Sequence, residues 1–309
     1  EGVVGIHRWT QGQLSTCEMI AEQDPDDVKV SGLFSYPVKG CRAVEHVTAD
    51  LLTSGLRHDR EWMLVDLRRS PAQFLSQREL PAMATIVAAV VTDAAADTLS
   101  LSAPGQDTLV VSLPQERQLR AVRVWNHETE ATDAGDAAAQ WCARALQFEP
   151  GQVRLVRFNP ELPRLCNRTY AGDSGAHTFF ADGYPVLIAS ESSLVDLNQR
   201  MGRREGNLLP MNRFRPNIVL SGLPAWDEDH VETIGVGSVI LRLVKPCVRC
   251  QVTTTDQRSG ARLSEEPLVT LARFRNNPDF GGVTFGWNAV VLAPGTVAVG
   301  EVAAVEYRF

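Results

Sequence analysis

Two cysteines, Cys247 and Cys250, stand three positions apart with Arg249 between them. This spacing is typical of half a zinc site, of a redox-active pair, or of two buried thiols. A structural zinc ion needs further ligands at similar spacing, but the other cysteines are isolated and the histidines form no ligand pair. A redox pair of the thioredoxin type precedes a helix, whereas a threonine-rich stretch typical of a strand follows Cys250. A zinc site and disulfide exchange are therefore both disfavoured.

Positive charge stands next to these thiols. Arg249 directly precedes Cys250, and Lys245 lies five positions before it. A fixed positive charge favours the thiolate, which is the form that binds a soft metal ion. On a strand, Cys250 would share a face with Val252 and Thr254, and Arg249 would point to the opposite face, toward a partner beyond the strand. Cys250 is thus a candidate ligand for a soft metal.

Three further cations stand in unusual local sequences. Lys39 lies in a turn between Pro37 and Gly40, where backbone amides are free to meet an anion. Arg60 opens a predicted strand, and Arg215 directly precedes another. Each alone is typical of a surface salt bridge. Together they can neutralise a phosphate and bind a heteroaromatic ligand, because guanidinium groups suit bidentate phosphate contact.

The elements that must position these residues are mostly strands. Apolar and β-branched runs between Pro- and Gly-rich turns predict strands over 28–36, 61–67, 84–92, 98–102, 108–113, 119–125, 153–158, 217–220, 238–244, 251–255, 286–292 and 297–307. Apolar residues at helical spacing predict a helix over 136–146. Ser190 is predicted to cap a helix that runs to about Arg200, and Ser264 to cap one with Pro267 in its first turn.

Length and composition agree with a globular protein. The chain has 309 residues, of which 44% are hydrophobic and 22% charged, so fibrous and wholly disordered classes are excluded. The strands do not alternate regularly with helices, which predicts a β-rich α+β fold and not a doubly wound parallel sheet. We expect a flexible tail over 1–27, a β-rich unit over 28–150 and a second unit over 151–309.

Charge and cysteine content restrict the partners. With 30 basic and 37 acidic residues, the formal net charge is -7, so no general attraction to nucleic acid or anionic lipid is expected. The apolar runs are shorter than the ~20 residues of a membrane span, and membrane attachment is expected only through an anchor outside this sequence. Six cysteines are too sparse for a disulfide scaffold, which favours a reducing compartment and mostly buried thiols.

Four ordered motifs extend these observations. They are Tyr-Pro-Val-Lys-x-Cys at 36–41, Asp-Arg-x-Trp at 59–62, Phe-Arg-Pro-Asn at 214–217 and Cys-x-Arg-Cys-x-x-Thr-Thr-x-Asp at 247–256. In this order the chain resembles the MOSC superfamily and, within it, the mitochondrial amidoxime reducing component family. The resemblance runs from about Val28 to Phe309. It implies a MOSC β-barrel domain preceded by an N-terminal MOSC β-rich domain.

The resemblance also implies a site. Cys250 matches the catalytic cysteine that ligates molybdenum in a single-pterin molybdenum cofactor. The other implied cofactor contacts are Lys39, Gly40, Arg60, Gly183, Tyr184, Arg215, Val248 and Arg249. Gly40 and the Gly183-Tyr184 pair stand where relatives often carry hydroxyl side chains, so contacts there are expected from backbone N–H groups. Cys247 is expected to be a packed thiol, and Asp256 either orients the site or caps a turn.

The implied function is reduction of N-hydroxylated compounds such as amidoximes and hydroxylamines, and also of nitrite to nitric oxide. No cysteine follows Cys250, so no iron–sulfur cluster or haem of its own is expected. Electrons would come from cytochrome b5 and its NADH-dependent reductase, in the cytosol or on the cytoplasmic side of the outer mitochondrial membrane. The alternatives are a non-catalytic carrier of molybdenum cofactor or sulfur and, less favoured, a structural zinc or dithiol protein.

Overall fold

The computed structural model describes residues 27–92, 97–112 and 118–308. The predicted tail over 1–27 therefore lies outside the described residues, except for Asp27. The strands are β1 Lys29–Ser35, β2 Val44–His46, β3 Thr48–Leu52, β4 Gly55–Leu56, β5 Trp62–Asp66, β6 Ala72–Phe74, β7 Val87–Thr92, β8 Asp97–Ala103, β9 Gln106–Val111, β10 Leu119–Val124, β11 His127–Asp133, β12 Val153–Phe158, β13 Arg164–Leu165, β14 His177–Thr178, β15 Val186–Ser190, β16 Ile218–Ser221, β17 Val231–Val236, β18 Val239–Val248, β19 Asn276–Asn277, β20 Gly282–Ala293, β21 Gly295–Ala298 and β22 Ala303–Tyr307.

The helices are fewer. The α-helices are α1 Asp136–Leu146, α2 Arg168–Ala171, α3 Glu191–Arg200 and α4 Leu268–Phe274, and short 3-10 turns span Pro81–Thr85, Met211–Arg213, Asp227–Asp229, Gln251–Thr254 and Pro278–Phe280. The predicted β-rich α+β class is confirmed. None of the helices among these residues is both long and apolar enough to cross a bilayer.

The largest sheet has nine strands, in the order β2-β1-β16-β15-β20-β18-β17-β22, with β19 paired to β20. Strands β1 and β16 pair antiparallel, with Leu33 opposite Ile218. β15 and β16 run parallel, and β18 pairs antiparallel with β20. One buried apolar cluster belongs to this sheet, and it includes Val30, Leu33, Ile188, Ile218, Leu241 and Ala289. This sheet positions the chain segments of Tyr36, Arg215 and Cys250.

A small closed barrel of strands β10-β11-β12-β5-β6 stands beside this sheet. Every residue of β5 is buried, because both of its faces pack against apolar side chains. Strand pairing does not respect a boundary at residue 150. β12 lies after it but completes the barrel of earlier strands, and β1 lies before it but belongs to the large sheet. The proposed division of the chain at 150 stays a prediction.

The predicted strand over 251–255 is wrong. Gln251–Thr254 forms a 3-10 turn, and Cys250 is the capping residue directly before it. The backbone N–H and the hydroxyl of Thr253 both donate to the carbonyl of Cys250, each at 3.0 Å, and the Thr254 hydroxyl donates to Gln251. Threonine hydroxyls that bond to nearby carbonyls compete in this way with a strand ladder. Cys250 therefore does not alternate along a strand with Val252 and Thr254.

Other boundaries differ for local reasons. The helix predicted from Ser264 begins only at Leu268, directly after Pro267. The predicted strand over 297–307 is two strands, β21 and β22, separated by a turn at Gly300, where φ is 92°. Helix α3 follows Ser190 as predicted, but the Ser190 hydroxyl accepts no hydrogen bond from the first backbone N–H groups of the helix, so the predicted side-chain cap is wrong.

A buried carboxylate ties the barrel together. Asp133, at the end of β11, accepts hydrogen bonds from Arg120 of β10 and Arg154 of β12, and from the backbone N–H of Gly135. Its side chain is 1% exposed. Burial would raise the pKa of Asp133, but the hydrogen bonds from Arg154, Gly135 and Arg120 more than offset this and hold the pKa below its usual range.

We expect Asp133→Asn to destabilise the protein by about 3 kcal/mol at pH 7, because the partly exposed guanidinium groups of Arg120 and Arg154 lose the counter-charge of a fully buried carboxylate. A carboxylate with a depressed pKa stabilises the fold above its unfolded pKa, so the difference should shrink as the pH falls below ~4. Urea unfolding at pH 7 and pH 3 measures both effects. Asp136→Asn is the matched control, because Asp136 also pairs with Arg154 but is 83% exposed. Equal losses in the two variants would contradict the prediction.

Candidate functional site

All nine predicted site residues line one cleft of about 160 Å³. Cys247, the other thiol of the predicted pair, also lines this cleft. Phe214 and Asn217 of the Phe-Arg-Pro-Asn motif also line it, as do residues that the sequence did not single out, among them Phe74, Ser76, Gln77, Arg78, Trp125 and Asp182. Several of these come from loops of the barrel strands, where no local pattern marks them as functional.

The ring of Tyr36 organises one wall. The guanidinium groups of Arg60 and Arg215 both lie over this ring, each 4.2 Å from its centroid. The Tyr36 hydroxyl donates to the carbonyl of Pro216 at 2.9 Å, and its backbone N–H donates to Asp59 at 2.9 Å. Burial raises the pKa of Tyr36 to about 12, so the ring is neutral at physiological pH and presents its π face to two cations.

These two arginines differ in their partners. Arg60 donates to Asp59 at 2.6 Å and to Asn217 at 3.1 Å. Arg215 donates to the neutral amide oxygen of Gln257 at 3.1 Å, and it has no carboxylate within ion-pair distance in the described part of the chain. Burial lowers the pKa of Arg215 to about 10, which still leaves it charged at pH 7. The charge of Arg60 is compensated, whereas that of Arg215 is not.

Three cleft residues adopt a backbone conformation that side chains disfavour. The φ angles of Arg60, Trp125 and Arg215 are 48°, 55° and 57°. A non-glycine residue in this region costs on the order of 1 kcal/mol or more, and such residues often cluster at functional sites. The surrounding hydrogen bonds must hold these three side chains toward the cleft.

The side chain of Lys39 is paired within the cleft. Its ammonium forms an ion pair with Asp182 and donates to the carbonyl of Phe180 at 2.8 Å. Burial lowers the pKa of Lys39. Burial would raise the pKa of Asp182, but the charge and hydrogen bond of Lys39, the hydrogen bond from Trp125 and the charge of Arg78 together hold the pKa of that carboxyl well below its usual range. Trp125 also donates to Asp182, at 3.1 Å.

The backbone amides of the Lys39 turn are also less available than expected. The N–H of Lys39 donates to Trp62 and that of Cys41 to Val38. The residue after Lys39 must be glycine, because Gly40 has a φ of 85°, which residues with a side chain disfavour. The expectation of free amides is therefore wrong for Lys39 and Cys41.

Two half-buried thiols, Cys247 and Cys250, line the same cleft. Arg249 donates to the sulfur of Cys247 at 2.8 Å and to the carbonyl of Phe214 at 2.6 Å. Its Nε is buried and has no hydrogen-bond partner among the described residues. The guanidinium thus contacts Cys247 and the segment of Phe214, which is a partner beyond its own strand.

The other three cysteines among the described residues have thiols that are hard to ionise. Cys41, Cys142 and Cys166 are buried, and burial raises the pKa of each. No three Cys, His, Asp or Glu side chains in the described segments are arranged to hold a metal ion. A metal bound at Cys250 would therefore need its other ligands from a cofactor. Asp256 caps a turn through Arg258 and Ser259, which resolves its role.

The cleft is strongly cationic. Among its described lining residues, five carry a basic side chain and only Asp182 carries a carboxylate. The basic residues are Lys39, Arg60, Arg78, Arg215 and Arg249. Asp59, behind Arg60, adds one more negative charge. The excess of positive charge next to an accessible thiol suits an anionic ligand that also carries a soft metal.

Comparison with known proteins agrees with this chemistry. The MOSC N-terminal beta barrel domain family matches residues 27–149, and the MOSC domain family matches 175–304. Mitochondrial amidoxime-reducing component 1 of Homo sapiens is 34% identical over 289 residues, which cover 88% of this chain and 81% of the relative. The chain belongs to the mitochondrial amidoxime reducing component family of MOSC proteins.

Further members and relatives match as well. Mitochondrial amidoxime reducing component 2 of Bos taurus is 34% identical over 254 residues, covering 80% of this chain and 72% of that protein. Molybdenum cofactor sulfurase of Oryza sativa subsp. japonica is 29% identical over 289 residues, which are 88% of this chain and 34% of the sulfurase. The amidoxime reducing component family and the sulfurase therefore share the region that contains the cleft.

The unequal pairing of Arg60 and Arg215 predicts different effects in this family member. Arg215→Ala should weaken cofactor binding by ~1.5–3 kcal/mol with little loss of stability, because it removes an uncompensated charge. Arg60→Ala should lower both cofactor content and the melting temperature, because it leaves Asp59 buried without its partner. Molybdenum and pterin per mole of purified protein, together with thermal unfolding, check this. Full cofactor content in both variants would show that these arginines serve only the fold.

Proposed function

We propose that this protein is a molybdenum cofactor-dependent reductase of N-hydroxylated compounds such as amidoximes and hydroxylamines. The observation that carries the proposal is the cleft itself, where the half-buried Cys250 lies in a wall with excess positive charge. A single-pterin molybdenum cofactor has a phosphate that needs cations and a metal that needs a soft ligand. The donors of this cleft fit both requirements.

Each wall would hold a different part of the cofactor. Cys250 would supply the thiolate that ligates the metal. Arg215 and Arg249 would supply charge and hydrogen bonds to the pterin and its phosphate, since the Nε of Arg249 is buried without a partner among the described residues. Val248 and Gly183 would contribute backbone groups. When bound, the cofactor supplies two-electron redox chemistry that no side chain here can provide.

The chain's own residues would bind and orient the substrate. Reduction of an N–OH group consumes two electrons and two protons and yields N–H and water. Phe74 and Trp125 form an aromatic edge-to-face pair with ring centroids 4.8 Å apart in the cleft wall, against which a small planar amidoxime can pack. Nitrite is a further candidate substrate, because a small anion suits the cationic cleft.

The electron donors would be cytochrome b5 and its NADH-dependent reductase. The sequence has no Gly-x-Gly-x-x-Gly nucleotide motif with which to bind NADH directly. The protein would act in the cytosol or on the cytoplasmic side of the outer mitochondrial membrane, and the names of its relatives support a mitochondrial setting only. The alternative is a carrier of molybdenum cofactor or sulfur, which the similarity to the sulfurase supports. Turnover of a simple amidoxime with a chemical reductant separates the two.

The central test concerns the metal ligand. Cys250→Ser should abolish amidoxime reduction while the fold is kept, because a hydroxyl is a poor ligand for a soft metal. Cys247→Ser is the matched control. Its loss of activity should be smaller, because Cys247 contacts Arg249 and is not the proposed metal ligand. Amidine production and molybdenum content are measured for both. Near wild-type turnover in Cys250→Ser would refute the assignment, and equal loss in both variants would favour a dithiol mechanism.

A second test concerns electron supply. With NADH alone, turnover should be negligible, and addition of cytochrome b5 and its reductase should restore it. Because short-lived redox interfaces are small and steered by charge, the rate should fall as the salt concentration rises above ~0.15 M. Amidoxime-dependent NADH oxidation is measured with each component omitted in turn. Full activity with this protein and NADH alone would exclude an external haem donor.

A further inference from the structure

Two buried glutamines hydrogen-bond to each other at the cleft. Gln77 Nε2 donates to Gln257 Oε1 at 3.0 Å, and Gln257 Nε2 donates to Gln77 Oε1 at 2.9 Å. Their residues are only 1% and 5% exposed. The two side chains are 180 positions apart in the sequence, so the contact exists only in the folded protein.

The second N–H group of each glutamine amide determines how that amide is oriented. Gln77 Nε2 also donates to the carbonyl of Gly40 at 2.7 Å, and Gln257 Nε2 also donates to that of Thr255 at 3.1 Å. Each amide has two N–H donors, and both are used in each residue. If Gln257 were rotated by half a turn, its NH₂ group would face the guanidinium of Arg215. Only the observed orientation places an oxygen against Arg215.

The pair joins segments that meet at the cleft. It links the turn of Gly40, the loop after β6 and the loop after Cys250. Arg262 reinforces the same junction, because its Nε donates to Thr255 at 3.0 Å and its NH1 to the carbonyl of Arg78 at 3.1 Å. The loop that begins at Cys250 is thereby tied to the wall that carries Gly40.

The choice of a neutral acceptor has an electrostatic consequence. Lys39 and Arg60 each pair with a carboxylate, Asp182 and Asp59, which compensates their charges. Arg215 instead donates to an amide oxygen that carries no charge. A carboxylate at position 257 would form an ion pair with Arg215 and cancel its charge toward any other anion.

We propose that Gln77 and Gln257 are positioning residues that hold Arg215 on a neutral acceptor, so that its charge stays available to an anionic ligand of the cleft. They act through Arg215 and do not themselves need to touch the ligand. This inference deepens the proposed function, on which it rests, because the anion there is the phosphate of the cofactor. The chemistry it requires is only that of a phosphate group.

The test uses Gln257→Glu in the full chain, produced in a host that makes no molybdenum cofactor, with inorganic phosphate as the probe. Glutamate has the same size as glutamine and still accepts from Arg215, but it adds a negative charge beside the guanidinium. It also loses the two N–H donors to Gln77 and Thr255, a loss that Gln257→Met shares, so the comparison with Gln257→Met isolates the effect of the charge. Calorimetric titration should show phosphate binding by the wild type and at least about tenfold weaker binding by Gln257→Glu. Gln257→Met, which leaves the charge of Arg215 uncompensated but removes its acceptor, should bind phosphate with intermediate affinity.

Asn198→Ala is the matched structural control. Asn198 is a buried amide away from the cleft that donates to Leu194 and Leu209 and accepts from Leu209. It should lower the melting temperature without changing the affinity for phosphate. Equal phosphate affinity in Gln257→Glu and wild type, or an equal loss in Asn198→Ala, would overturn the inference.

Two further outcomes separate this inference from the proposed function. Absence of phosphate binding by the wild-type protein would also overturn the inference, because no anion would then use the charge of Arg215. In contrast, if protein from a cofactor-producing host contains no molybdenum or pterin while phosphate binding still depends on Gln257, the proposed function fails and the positioning role stands.

Discussion

Two like charges over one aromatic ring are the constraint on which this cleft depends. Arg60 and Arg215 lie at equal distances from the centroid of Tyr36, in a region from which water is largely excluded. Such an arrangement is unfavourable unless hydrogen bonds and counter-charges hold each group. Asp59 serves Arg60, and Gln257 serves Arg215. The π face of Tyr36 contributes attraction to both cations.

The large sheet brings these groups together. Antiparallel pairing of β1 and β16 sets the segment of Tyr36 beside that of Arg215, since Leu33 lies opposite Ile218. Asn217 then links three segments, because it accepts from Arg60 and from the N–H of Leu187 and donates to the carbonyl of Phe34. A single amide side chain therefore couples the register of three strands to the position of a functional arginine.

The two halves of the cleft differ in electrostatic character. In one half, Lys39, Asp182 and Trp125 form a closed set in which the positive charge is compensated. In the other half, Arg215 has a neutral partner, and Arg249 stands next to the two accessible thiols. An anionic ligand gains most in the second half, where positive charge is not already paired. This asymmetry supports placing both the metal and the phosphate of the proposed cofactor on the side of Cys250 and Arg215.

The amino-acid sequence by itself marked the characteristic cysteine, lysine and arginines of the cleft, which stand in short segments that adjoin strands with clear apolar patterns. It did not mark Gln77, Trp125 or Asp182. It also determined the β-rich class and the start of α3 after Ser190. Only the tertiary structure decided how these residues are paired. The contact of Lys39 with Asp182 spans 143 positions and that of Gln77 with Gln257 spans 180, so both depend on sheet register and not on local sequence. The strand predicted after Cys250 is wrong for a related reason. Threonines are common in strands, but the hydroxyls of Thr253 and Thr254 bond to nearby carbonyls after β18 ends and stabilise a turn instead.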